Sequence, residues 1–120
     1  MSDRKLNIIL KADNAQKRVD GLMFHKPLSK DECAFFIFPT AGQHRFWNAN
    51  VDFPISLMFC DEKGTVKDIQ YLEPFQTDSV GPKSYDIKFV VEAHKEVPES
   101  FKIKNGTKLL FREREIIFVD

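Results

Sequence analysis

Two cysteines, three histidines, and a tryptophan with two asparagines close behind it are the residues that could do chemistry in this chain of 120 residues. A catalytic thiol or hydroxyl needs a base beside it and a turn that presents it, and neither a GxSxG string nor a cysteine-loop signature occurs. Cys33 and Cys60 lie beside apolar runs and belong to no CxxC pair, so each reads as a small reduced hydrophobe. His25, His44 and His94 are scattered, there is no HExxH string, and the acids do not reproduce a calcium loop. No metal or cofactor is expected. The five glycines stand apart, each with a turn or cap role, which leaves no loop to cradle a phosphate.

Trp47, Asn48 and Asn50 are more suggestive. An indole offers flat apolar area and a carboxamide fixes orientation by hydrogen bonding, a pairing suited to a small molecule, a glycan or a peptide. Each also has a plain use: the indole can pack at a core rim, and asparagines commonly satisfy turn backbone. The reading carried forward is a non-enzymatic binding groove formed by Trp47, Asn50, Asn48 and Phe46, with Phe75 in a roofing loop at 73–84. One alternative is a hydrolase-type enzyme with Asp52, His44 or Glu92 as acid and base in the same cleft. The other is a structural or accessory protein that docks through a sheet edge or a Phe-rich patch.

Charge narrows the partners. Eighteen basic and 18 acidic side chains cancel, removing the positive field that a phosphate backbone requires, and the stretch holding Lys17, Arg18, Lys26 and Lys30 is a weak patch. No nucleic-acid partner is expected. No apolar run approaches a membrane span, and no export signal is visible in the chain given, so the expectation is a cytoplasmic protein with no membrane partner. Oligomeric state stays open.

The elements that must position these residues follow from periodicity. Residues 5–11 alternate as a strand with one buried face, and Asp13 or Asn14 can cap a short helix over 15–20 that Gly21 ends, with Val19 and Leu22 facing inward. Residues 34–38 have no polar alternate, as a central strand covered on both faces requires. Residues 46–51 are read as a strand with Trp47, Ala49 and Val51 on one side and Phe46, Asn48 and Asn50 on the other. Strands at 55–60, 66–71 and 85–93 follow, with a turn at 61–64. One helical turn at 96–101, an Asn105-Gly106 hairpin signal and strands at 108–111 and 115–119 complete the chain. The sum is one mainly β domain over 1–120, a compact two-sheet sandwich or partly closed barrel of seven or eight short strands with one or two short helices. Twelve phenylalanines supply bulky filling for a small interior.

The strings KRVDGLMF (17–24), DECAFFIFP (31–39), FWNANVDFPISLMF (46–59), DEKGTV (61–66) and FVVEA (89–93) resemble, in order and spacing, the domain of unknown function 192 family. The resemblance spans about residues 11–108 and implies a compact mainly β domain with a helix after the first strand, and no established activity. Arg18, Gly21, Leu22, Met23, Phe46, Trp47, Asn50, Pro54 and Glu92 match its motif positions. Asn48 stands where the family pattern has Met, and Ser56 and Thr107 stand where it has Asp, so an activity needing a carboxylate at 56 is not expected here. The resemblance also implies that many relatives are exported. Arg18 and Glu92, both in shared segments, are expected to form a charge-assisted pair beneath the site.

Overall fold

The computed structural model describes residues 4–120. Seven strands form one sheet: β1 (Lys5–Ala12), β2 (Glu32–Gly42), β3 (Ile55–Asp61), β4 (Val66–Leu72), β5 (Ile87–His94), β6 (Lys108–Phe111) and β7 (Glu115–Val119), in the order β4-β3-β5-β2-β1-β7-β6. Helix α1 (Ala15–Asp20) is the crossover between the parallel pair β1 and β2, and α2 (Val97–Ser100) connects β5 to β6. The other pairings are antiparallel.

The apolar run in β2 reflects its place as the fourth strand of seven, with both faces covered. Ala34 and Phe36 join Leu57, Phe59 and Val90 in one core, whereas Cys33 and Phe35 join Met58, Cys60 and Val91 in the other. The second core fills the concave side, where Val97 of α2, Leu109 of β6 and Ile116 of β7 close it.

A two-sheet sandwich is not what forms. The single sheet curls until its edge strands meet at one end: Thr65 bridges Lys108, the Val66 N–H donates to the Thr107 carbonyl (2.8 Å), and the Leu109 N–H donates to the Gly64 carbonyl (2.7 Å). Gly64 makes this approach possible. Its φ is +81°, and a Cβ there would stand 2.6 Å from the Leu109 carbonyl oxygen. The result is a mainly β half-barrel.

Asn14 caps α1 by accepting from the Lys17 N–H (2.9 Å), and Gly21 ends it at φ +48°. Leu22 is buried as expected, but Val19 is 67% exposed. A six-residue helix has no room for a full apolar stripe, so its inward contact comes from the residue after Gly21. Asn105-Gly106 precedes both final strands, and the hairpin itself turns at 112–115, where the Arg112 N–H donates to the Glu115 carbonyl (2.9 Å).

Candidate functional site

The segment 46–51, expected as a strand, keeps only one bridge before it turns. Phe46 exchanges backbone hydrogen bonds with Val80 (both 2.8 Å), and the Asn48 N–H donates to the Gln76 carbonyl (2.7 Å). Then the Val51 N–H reaches back to the Asn48 carbonyl (3.1 Å), with Asn50 at φ +59°. This turn breaks the two-residue period: Phe46, Asn48 and Val51 are buried, and Trp47 and Asn50 are exposed. The two asparagines do not share a face. Two neighbours hold the turn in place: the Asn50 carbonyl accepts from the Phe24 N–H, and the Val51 carbonyl accepts from the Phe75 N–H (both 2.8 Å).

Between this turn, the end of α1 and the outer face of the sheet lies a cavity of about 490 Å³. Its walls include Leu22 and Met23, Phe36 and Phe38 of β2, Phe46 to Asn48, Val51, and Glu92 of β5. Phe46 makes edge-to-face contacts with Phe36 (5.0 Å between centroids), Phe38 (6.0 Å) and Phe59 (5.9 Å), so it ties the cavity wall to the core. Trp47 is 51% exposed on the same cavity.

Asn48 is 1% exposed, and its Nδ2 donates to the carbonyls of Phe53 and Glu73 (both 2.9 Å). Only an amide nitrogen can serve two carbonyls, which fixes the orientation of the group. Its Oδ1 is left buried without a partner. Glu92 is 4% exposed, and burial pushes its carboxyl from the usual carboxylate range up to about 8. No hydrogen bond or cation offsets that burial among the described residues.

The expected Arg18–Glu92 pair is therefore not formed. Arg18 lines the same cavity, but its Nη1 donates to the Ile37 carbonyl (2.9 Å) and its guanidinium lies 5.5 Å from the Phe38 ring centroid. Two further expectations are corrected. Asn50 and Phe75 lie outside the cavity walls, with Phe75 62% exposed, and no residue of the loop at 73–84 roofs the cavity. That loop braces the 46–51 segment from the side instead, because its backbone is taken up by Phe46, Asn48 and Val51.

The acid–base candidates do not converge. His44 stacks on Phe38 with centroids 3.7 Å apart and its Nε2 is 2.9 Å from the Thr40 carbonyl, while Asp52 is exposed and off the cavity. Ser56 and Thr107 also lie elsewhere. The Ser56 hydroxyl faces the carbonyls of Ala93 (3.2 Å) and His94 (3.0 Å), and Thr107 Oγ1 accepts from the Lys104 N–H (3.1 Å). Of the three departures from the family pattern, Asn48 alone reaches the cavity. Arg45 was missed: it lines the cavity and its Nε and Nη2 donate to Ser79 Oγ and the Ser79 carbonyl (2.8 and 2.7 Å). An isolated arginine before Phe46 carries no sequence signal for that role.

A sequence profile for the family described as "Uncharacterized ACR", DUF192, matches residues 2–111. The chain belongs to the DUF192 family. DUF192 carries no established function. No curated protein matches the chain. Among solved structures, a protein of unknown function from Novosphingobium aromaticivorans has a TM-score of 0.79 at 22% identity, over 84% of this chain and 72% of its own. A Sinorhizobium meliloti protein described as a candidate transcription regulator has a TM-score of 0.78 at 17% identity, over 87% of this chain and 89% of its own. At these identities the likeness is one of fold. Among the described residues no helix is long and apolar enough to cross a membrane.

Proposed function

We propose that this DUF192 protein is a small non-enzymatic binding module that takes a small molecule into the cavity between α1 and the 46–51 turn. The observation that carries the reading is the cavity itself: about 490 Å³ walled by Phe36, Phe38, Phe46 and a half-exposed Trp47, with Asn48 and Glu92 as buried polar residues on its walls. Apolar and aromatic walls supply area, and few polar groups supply orientation, the usual division of labour in a small-molecule site.

Hydrolysis gains less support, because a general acid and base must face one reacting bond. Among the described residues Glu92 has no second ionisable side chain in a hydrogen bond or ion pair with it, and His44 and Asp52 lie elsewhere.

Trp47 is the only tryptophan, so its fluorescence reports locally. A panel of alcohols, amines, saccharides and short peptides is expected to yield a saturable fluorescence change in the wild-type protein. Ala49→Leu, which places bulk on the cavity wall, should abolish it. A panel silent with the wild-type protein, or a response unchanged by Ala49→Leu, would overturn the reading.

A further inference from the structure

The polar groups of this cavity are unequal. Two of its wall residues are buried polar side chains: among the described residues Asn48 Oδ1 has no partner, and Glu92, 4% exposed, forms no ion pair. Asn48 cannot turn its amide nitrogen toward a ligand without releasing the carbonyls of Phe53 and Glu73, which leaves Glu92 as the polar group open to one. The cationic side chains on the same walls form no ion pair with Glu92. Arg18 is committed to the Ile37 carbonyl and the Phe38 ring, and Arg45 to Ser79. Four aromatic residues, Phe36, Phe38, Phe46 and Trp47, complete the surroundings.

We infer that the ligand is a small primary amine on an apolar body, its ammonium group held at the Glu92 carboxylate on the cavity wall. The inference rests on the binding reading above and narrows it. An ammonium brings three donors on a compact charge, and a carboxylate accepts on both of its oxygens. It supplies an opposite charge, which no ion pair among the described residues gives Glu92. Aromatic rings favour a cation electrostatically, whereas a hydroxyl gains little from them. Leu22, Met23 and Val51 then cover the apolar body.

Phenethylamine and its neutral counterpart 2-phenylethanol separate charge from shape. Each is titrated into the full chain at about pH 6.5 and about pH 9, followed by Trp47 fluorescence and by calorimetry. An ammonium can use only the ionised carboxylate, so with Glu92 titrating at about 8, amine affinity should rise about 30-fold between the two conditions. The other charged wall residues, Arg18, Asp20 and Arg45, are present in every arm. Glu92→Gln, with its fold checked by circular dichroism, should abolish that rise and reduce amine binding to the level of the alcohol. Alcohol binding at least as tight as amine binding near pH 9, or amine affinity that stays level or falls with pH, would overturn the ammonium assignment while leaving the cavity a binding site. Silence from both probes also overturns it, and the broader panel with Ala49→Leu then decides the binding reading by itself.

Discussion

Asn48 Nδ2 lies 2.9 Å from the Glu73 carbonyl oxygen, a bond that spans 25 residues and pins the cavity turn to the end of β4. The same nitrogen holds the Phe53 carbonyl at 2.9 Å, so one buried amide fixes three stretches of irregular backbone. Asn48→Ala should therefore lower stability by about 2–4 kcal/mol, the cost of leaving two carbonyls without a donor inside the protein. Urea unfolding measures it. A loss below about 0.5 kcal/mol would show that water serves these carbonyls equally well.

Glu92 sets a pH dependence whose sign is fixed by its burial. Its carboxyl is raised from 4.5 to about 8 in the folded chain, so the unfolded chain releases its proton first. Stability from this group is complete below about pH 4.5, declines as pH rises, and levels off above about pH 8. The total loss is on the order of 5 kcal/mol. Glu92→Gln removes the titrating proton, so the difference in urea midpoint between variant and wild type should widen in favour of the variant from about pH 5 to about pH 8.5. Parallel stability curves for the two proteins would refute the assignment.

Gly64 is the hinge of sheet closure. Gly64→Ala forces a side chain onto φ +81° and a methyl to within 2.6 Å of the Leu109 carbonyl oxygen. A loss of about 2 kcal/mol or more is expected in thermal or urea unfolding, since backbone rather than a flexible side chain must move. Gly106→Ala is the comparison: it shares a positive φ, but nothing lies within 4 Å of the added methyl, so it should cost less.

Cys33 and Cys60 should be silent toward thiol reagents in the native protein. Burial raises both thiols, with Cys60 pushed up to about 12 and further disfavoured as a thiolate by the nearby Asp61 carboxylate. Ellman's reagent should count no fast-reacting thiol before unfolding and two after it. Rapid native reaction of either thiol would mean that the concave core opens readily.

Periodicity and turn chemistry sufficed for the regular elements. The uninterrupted apolar run of β2 required two covered faces wherever the strand was placed, and Asn14 and Gly21 bound a helix whose capping is local. The Asp61 to Gly64 turn is equally local: Gly64 at positive φ and the Asp61 carboxylate accepting from the Lys63 N–H are decided within four residues. Family membership, too, was contained in the order and spacing of the motif segments.

The cavity was not decided at that range. Residues 46–51 alternate well enough for a strand, but their long-range backbone partners are Phe24, Phe75, Gln76 and Val80, and those partners hold the segment in a turn. That bend buries Asn48, exposes Asn50 and moves Phe75 off the cavity, outcomes that hang on hydrogen bonds between residues tens of positions apart. Arg18 likewise chose between a carboxylate and a carbonyl by geometry that no local pattern encodes. Side-chain type and spacing determine which faces must be buried; only the closure of the sheet and the packing of its loops decide which polar groups are left inside without partners.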